Sequence, residues 1–129
     1  MPKSVAEKLL VKPGDAVSVA GATVAERALL DPLPEGTTEA PAAEAAVAVS
    51  FVRTTAELLD RFGSELPLLA AARAVWFLYP KAGRADVNRD VIIRESGAFG
   101  WRPISNVSVD DVWSAVRVRP LAEGEAPVG

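Results

Sequence analysis

Two runs decide what this sequence can fold into. Ala46-Val47-Ala48-Val49-Ser50-Phe51-Val52 and Ala74-Val75-Trp76-Phe77-Leu78-Tyr79 are of strand length and apolar almost without a break. A half-exposed strand alternates apolar with polar residues, whereas an unbroken run is the pattern of a strand buried on both faces. Burial on both faces requires covering elements above and below, and strands joined through helices run parallel. The expected class is therefore α/β, a three-layer sandwich on a mostly parallel sheet of five to six strands. A chain of 129 residues holds one such core.

The remaining segments fit that frame. Ser4 and Glu7 have the spacing of a capping box and predict a short helix from Val5 that ends before the turn Lys12-Pro13-Gly14. Residues 15–20 alternate as a first strand closed by Gly21, 22–30 read as a short helix, 31–36 as a proline-rich loop and 37–40 as a brief strand. Thr54 or Thr55 caps a helix running to about Gly63, and Pro67 opens a second helical piece. Pro80 stops the strongest strand, 81–85 is a loop, and Asp86 or Asn88 caps the next helix. Residues 101–109 and 112–119 form an antiparallel hairpin about an acidic turn. The domain is expected over 1–120 and a disordered tail over 121–129. One connection is too short. Five residues separate the brief strand from the strand at Ala46, where a crossover with its helix needs a dozen or more. Either that strand is vestigial or the crossover is a bare loop, and the sheet face left open there points to a homodimer.

The chain has no Cys and no His, which removes thiol nucleophiles, disulfides, Cys/His zinc sites and His-based triads. Fourteen basic against 17 acidic residues give a net charge of −3, which disfavours nucleic acid as a partner. No apolar run is long enough for a membrane span, and charges interrupt the N-terminus before a signal-peptide core forms, so a cytoplasmic protein is expected.

The words Lys12-Pro13-Gly14-Asp15, Tyr79-Pro80-Lys81, Asp86-Val87-Asn88-Arg89-Asp90 and Asp110-Asp111-Val112-Trp113-Ser114-Ala115-Val116-Arg117, in this order, resemble a bacterial domain-of-unknown-function family, number three thousand and fifty-two. The resemblance spans about Ser4 to Pro120. It implies a small Rossmann-like sheet similar to the S-adenosylmethionine-dependent methyltransferases, with no activity attached. Such enzymes hold the cofactor by a glycine-rich turn after the first strand and an acid at the end of the second. Here the turn Ala20-Gly21-Ala22-Thr23-Val24-Ala25-Glu26 has one glycine, and Glu39 is the sole acid near the doubtful second strand. The dinucleotide and phosphate-loop signatures are likewise missing, so no cofactor is expected.

In an open α/β sheet ligands sit beyond the carboxyl ends of the strands. Gly21 and Thr23 follow the first strand, Arg53, Thr54 and Thr55 the strand at Val47, and Lys81, Gly83, Arg84 and Arg89 the strand at Trp76. Arg53, Thr54, Lys81, Arg84 and Arg89 are the candidate anion-binding residues, with Gly21, Thr23 and the Tyr79 hydroxyl as further ligand contacts. The competing reading has Lys81 and Arg84 solvated and Arg53 or Arg89 paired with Asp86 or Asp90. Asp110 and Asp111 are explained by turn chemistry, point to opposite faces and make no metal site; one of them is expected to pair with Arg117 or Arg102. Trp76 and Phe77 belong to the core, while Trp101 and Trp113 pack across the sheet or lie in an interface. The expected function is a non-enzymatic methyltransferase-like domain that binds a partner protein or a small anionic ligand at this edge. The alternative is a small-molecule transferase or hydrolase for an anionic substrate, with Asp86, Asp90, Glu57 and Tyr79 as its available acid–base groups.

Overall fold

The computed structural model describes residues 3–81 and 85–127. Its helices are α1 (Val5–Lys8), α2 (Val24–Ala28), α3 (Thr55–Glu65) and α4 (Arg89–Ser96), and its strands are β1 (Ala16–Ala20), β2 (Thr38–Glu39), β3 (Val47–Phe51), β4 (Ala74–Pro80), β5 (Trp101–Ser108) and β6 (Trp113–Pro120). The strands form a six-stranded sheet in the order β2-β1-β3-β4-β6-β5. The first four are parallel, and β6 lies antiparallel between β4 and β5. The expected α/β class and the C-terminal hairpin are thus what the chain adopts.

The caps explain where the helices begin. Ser4 and Glu7 close a reciprocal capping box on α1, and Thr23 and Glu26 close another on α2, so α2 starts at Val24 and is shorter than the expected 22–30. Thr54 caps α3, its hydroxyl accepting the Glu57 N–H at 3.0 Å, and Asn88 caps α4 through the Val91 N–H at 3.0 Å. The helical piece expected after Pro67 is a single 3-10 turn, Leu66–Leu68.

Side chains alternate across the sheet into two cores. On one face Ala48, Val75, Phe77 and Val116 meet Leu58 and Phe62 of α3 and Val91 and Ile92 of α4. Phe62 stands edge-on to Phe77 with ring centres 4.9 Å apart, and truncating it to Ala would cost about 3–5 kcal/mol. On the other face Val47, Val49, Phe51, Trp76 and Leu78 meet Ala6, Leu9 and Val11 at α1. The Trp76 indole N–H donates to the Leu9 carbonyl at 2.8 Å, fixing the turn after α1 to the sheet. Trp101 and Trp113 are buried, one in each core.

Both expectations for the short crossover bear on what is seen: the second strand is vestigial, and the crossover is a loop with one 3-10 turn. β2 has two residues, and between it and β3 the chain makes only the 3-10 turn Ala42–Glu44, with Ala42 packed against the α3 core. Between that turn and β1, whose Ser18 and Ala20 carry small side chains, lies a cleft that no helix fills. Residues 121–127, part of the stretch expected to be a disordered tail, run back over the hairpin. The Leu121 N–H donates to the Gly100 carbonyl at 2.9 Å, and the Glu125 carboxylate receives Arg102 at 2.5 Å and Arg119 at 2.8 Å.

Candidate functional site at the carboxyl edge

Strand order reverses beside β1: the chain goes outward to β2 and then returns to the other side of β1 as β3. The crevice beyond the carboxyl ends of β1 and β3 is the place where this kind of sheet binds ligands. Gly21, with φ +72°, turns the chain there, and a Cβ at this position would overlap the Phe51 carbonyl oxygen and lie 2.6 Å from Arg61 Nη1. Arg61 rises from α3 over the small residues of the sheet and donates to the Ser50 hydroxyl at 3.1 Å. Arg53 enters from the other side. Its Nη1 donates to the Gly21 carbonyl at 3.0 Å, its Nη2 pairs with Glu26, and its guanidinium lies 5.6 Å from the centre of the Trp113 ring. Burial works against charge on Glu26, but the Arg53 bond and the Thr23 N–H outweigh it and hold the carboxyl below its usual range. The close approach that glycine permits is therefore used by the chain's own arginines.

The other expected edge residues are separated by their partners. The Lys81 ammonium donates to the Ser108 hydroxyl and the Asp110 carbonyl, both at 2.5 Å, and so tethers the end of β4 to the hairpin turn. Thr54 is spent on its cap, and the N–H of Thr55 donates to Asp86 Oδ1 at 2.7 Å. Thr23 is an exposed cap residue. Arg89 starts α4 with its side chain 59% exposed, and its Nε lies 4.0 Å from Asp90. Tyr79 is buried, its hydroxyl 3.5 Å from Asn106 Nδ2. Gly83 and Arg84 lie outside the described residues.

At the hairpin turn, Asp110 Oδ1 accepts the N–H groups of Val112 at 2.8 Å and Trp113 at 2.7 Å, which is the turn chemistry expected. The expected pairing of an Asp with Arg117 or Arg102 is corrected: Arg117 donates to the Arg73 carbonyl and Arg102 pairs with Glu125, because the register carries both arginines to the far end of the sheet. Among the described residues no acidic cluster could hold a metal. No described helix is long and apolar enough to cross a membrane.

Sequence reasoning missed Arg61, Glu26 as the partner of Arg53, and Glu65. Glu65, one turn beyond Arg61, lines a cleft of about 440 Å³ with Ser18, Glu39 and Ala42 beside the short crossover. Burial holds its carboxyl above the usual range against the pull of Arg61. Glu39, the acid expected near a ribose, pairs instead with Arg27 at 2.9 Å.

No protein-family model matches the sequence, so the numbered family stays a resemblance. No curated protein matches it either. Solved structures do. A Streptococcus agalactiae protein of the NADB-Rossmann superfamily superposes with a TM-score of 0.55 at 8% identity, over 93% of this chain and 69% of that one. A candidate tRNA methyltransferase of Streptococcus pneumoniae, in complex with S-adenosyl-L-methionine, gives 0.52 at 11% identity over 93% and 73% of the two chains. The likeness is one of fold. The chain has a Rossmann-like sheet of the kind those proteins have, and whether it can hold their cofactor is a question for its own residues. The turn at Gly21 faces Arg61 and the Phe51 carbonyl, and the acid that ends β2 is paired with Arg27 at the surface.

Proposed function

We propose that this chain is a non-enzymatic methyltransferase-like domain, a binding module for a partner protein or a small anionic ligand. One observation carries the reading: at the carboxyl edge, where the fold takes a nucleotide cofactor, Arg61 lies against Gly21 and bonds Ser50, and Arg53 bonds Gly21 and Glu26, so both arginines are held by groups of the chain itself. Displacing them would break the Arg53–Glu26 pair and leave a half-buried carboxylate without its partner, a cost that a ligand must repay before it gains affinity. Two of the four groups named for acid–base work are engaged within the chain, while Asp90 is exposed. Asp86 accepts the Thr55 N–H, and the Tyr79 hydroxyl is buried against Asn106.

Calorimetric titration of the full chain with S-adenosylmethionine and with NAD tests the reading. No saturable heat is expected with either. A dissociation constant in the low-micromolar range for either one, or methyl transfer to any acceptor, overturns it.

A further inference from the structure

We infer that the cleft between α4 and β5 binds a small aliphatic carboxylate, with Arg89 taking the carboxylate group. This deepens the binding-module reading and rests on it. The cleft measures about 240 Å³, its floor is Val116, its walls are Ile93, Pro103 and Ile104, and Arg89 and Asn106 stand at its rim. That volume is below the range of drug-sized pockets and suits a molecule of a few carbons.

Three features point to this ligand class. The first is charge. Among the described residues Arg89 is the one ionised group lining the cleft, and its contact with Asp90 is through Nε at 4.0 Å, the outer limit of an ion pair. Its Nη fork makes no hydrogen bond to a described residue, and a fork of parallel N–H donors matches a carboxylate. The second is the wall. Ile104 is 39% exposed on an edge strand, where polar residues usually protect against unwanted pairing. A register shift between Pro103 and Ser105 bends β5 at this point, and bulges of this kind re-aim side chains beside binding sites. The third is the lack of a competing donor. Asn106 Nδ2 donates to the Ala115 carbonyl at 2.7 Å and lies 3.3 Å from the Ser114 hydroxyl, so its N–H groups are spent within the chain and the Arg89 guanidinium is left to meet the anion. An apolar wall with a single guanidinium at its mouth matches an aliphatic chain ending in a carboxylate; inorganic phosphate would use the guanidinium and leave the wall in water.

The test is a titration of the full chain followed by amide chemical shifts, with hexanoate, hexanamide and inorganic phosphate as probes, on the wild type, Arg89→Gln and Ile104→Ser. Hexanoate is expected to give saturable shifts around Ile93 and Ser105, at least about tenfold tighter than hexanamide or phosphate. Arg89→Gln is expected to erase the preference over hexanamide, and Ile104→Ser to weaken hexanoate and hexanamide alike. The proposal is overturned by the lack of a saturable shift, by equal affinity for hexanamide or phosphate, or by hexanoate binding that survives Arg89→Gln unchanged. The dispersion of the variants' spectra reports that they are folded. Failure here beside silent cofactor titrations removes the cleft alone, whereas cofactor binding removes the non-enzymatic reading and with it the cleft's place as the module's binding site.

Discussion

Asp86 accepts the backbone N–H of Thr55 at 2.7 Å, so the connection leaving β4 supplies the carboxylate that satisfies the start of the helix leaving β3. A free helix N-terminus attracts anions because its N–H groups lack partners. Here that attraction is met from within. The same holds at Glu26, which meets Arg53, so two of the positive features that line the carboxyl edge are answered by acids distant in the chain.

Asp86→Ala is expected to lower the unfolding free energy by about 1 kcal/mol, as the loss of a helix cap does, with an unchanged urea m-value. It should also make the protein responsive to sulfate, since the vacated Thr55 N–H is open to an outside anion. Urea midpoints measured with and without sulfate check both; a variant as stable and as sulfate-insensitive as the wild type would show that the contact contributes nothing.

Two glycines predict opposite outcomes. Gly21→Ala places a Cβ on the Phe51 carbonyl and the Arg61 guanidinium at a φ of +72°, and should destabilise by about 1–3 kcal/mol or more. Gly63, inside α3, has nothing within 4 Å of a built Cβ, so Gly63→Ala should stabilise by about 0.5–1 kcal/mol. Thermal unfolding of the pair checks the sign of each.

Acid should release the C-terminal segment. The Arg119 hydrogen bonds, helped by the Ala122 N–H and Arg102, lower the Glu125 carboxyl from the usual 4.5 to about 2. A carboxyl lowered in the folded state contributes stability that is complete above its unfolded value and is lost as pH falls toward the folded one. The contribution of Glu125 is therefore expected to fade between about 4.5 and about 2. Asp15, lowered chiefly by its bond to Arg73, adds to the same slope. Stability measured against pH for the wild type and Glu125→Gln should show a shallower acid limb in the variant, and parallel curves would remove Glu125 from the account.

The strands were legible because burial on two faces leaves a local mark. Val47, Val49 and Phe51 face one core while Ala48 and Ser50 face the other, and no surface strand reads that way. Caps were legible for the same reason, since Ser4 and Glu7, or Thr54 and Glu57, act within one turn. The edge was not. Glu26 and Arg53, or Asp86 and Thr55, are brought together only by the order of strands, and nothing near Glu26 distinguishes it from a solvated helix charge. A signal for Arg61 did exist. Ser18, Ala20 and Ser50 are small on the face where Val75 and Phe77 are large, and a strip of small side chains leaves room for a long one to lie across it.

The position of β6 between β4 and β5 has a consequence for synthesis. β4 is the most apolar strand, and one of its edges stays unpaired until the chain has made α4, turned through β5 and come back. An emerging chain therefore carries an open, sticky edge from the completion of β4 until Trp113–Pro120 has been made, the condition under which strands join the wrong neighbour. A version ended before Trp113 loses the partner of its central strand rather than a peripheral hairpin, and its expected fate in a cell is aggregation and degradation.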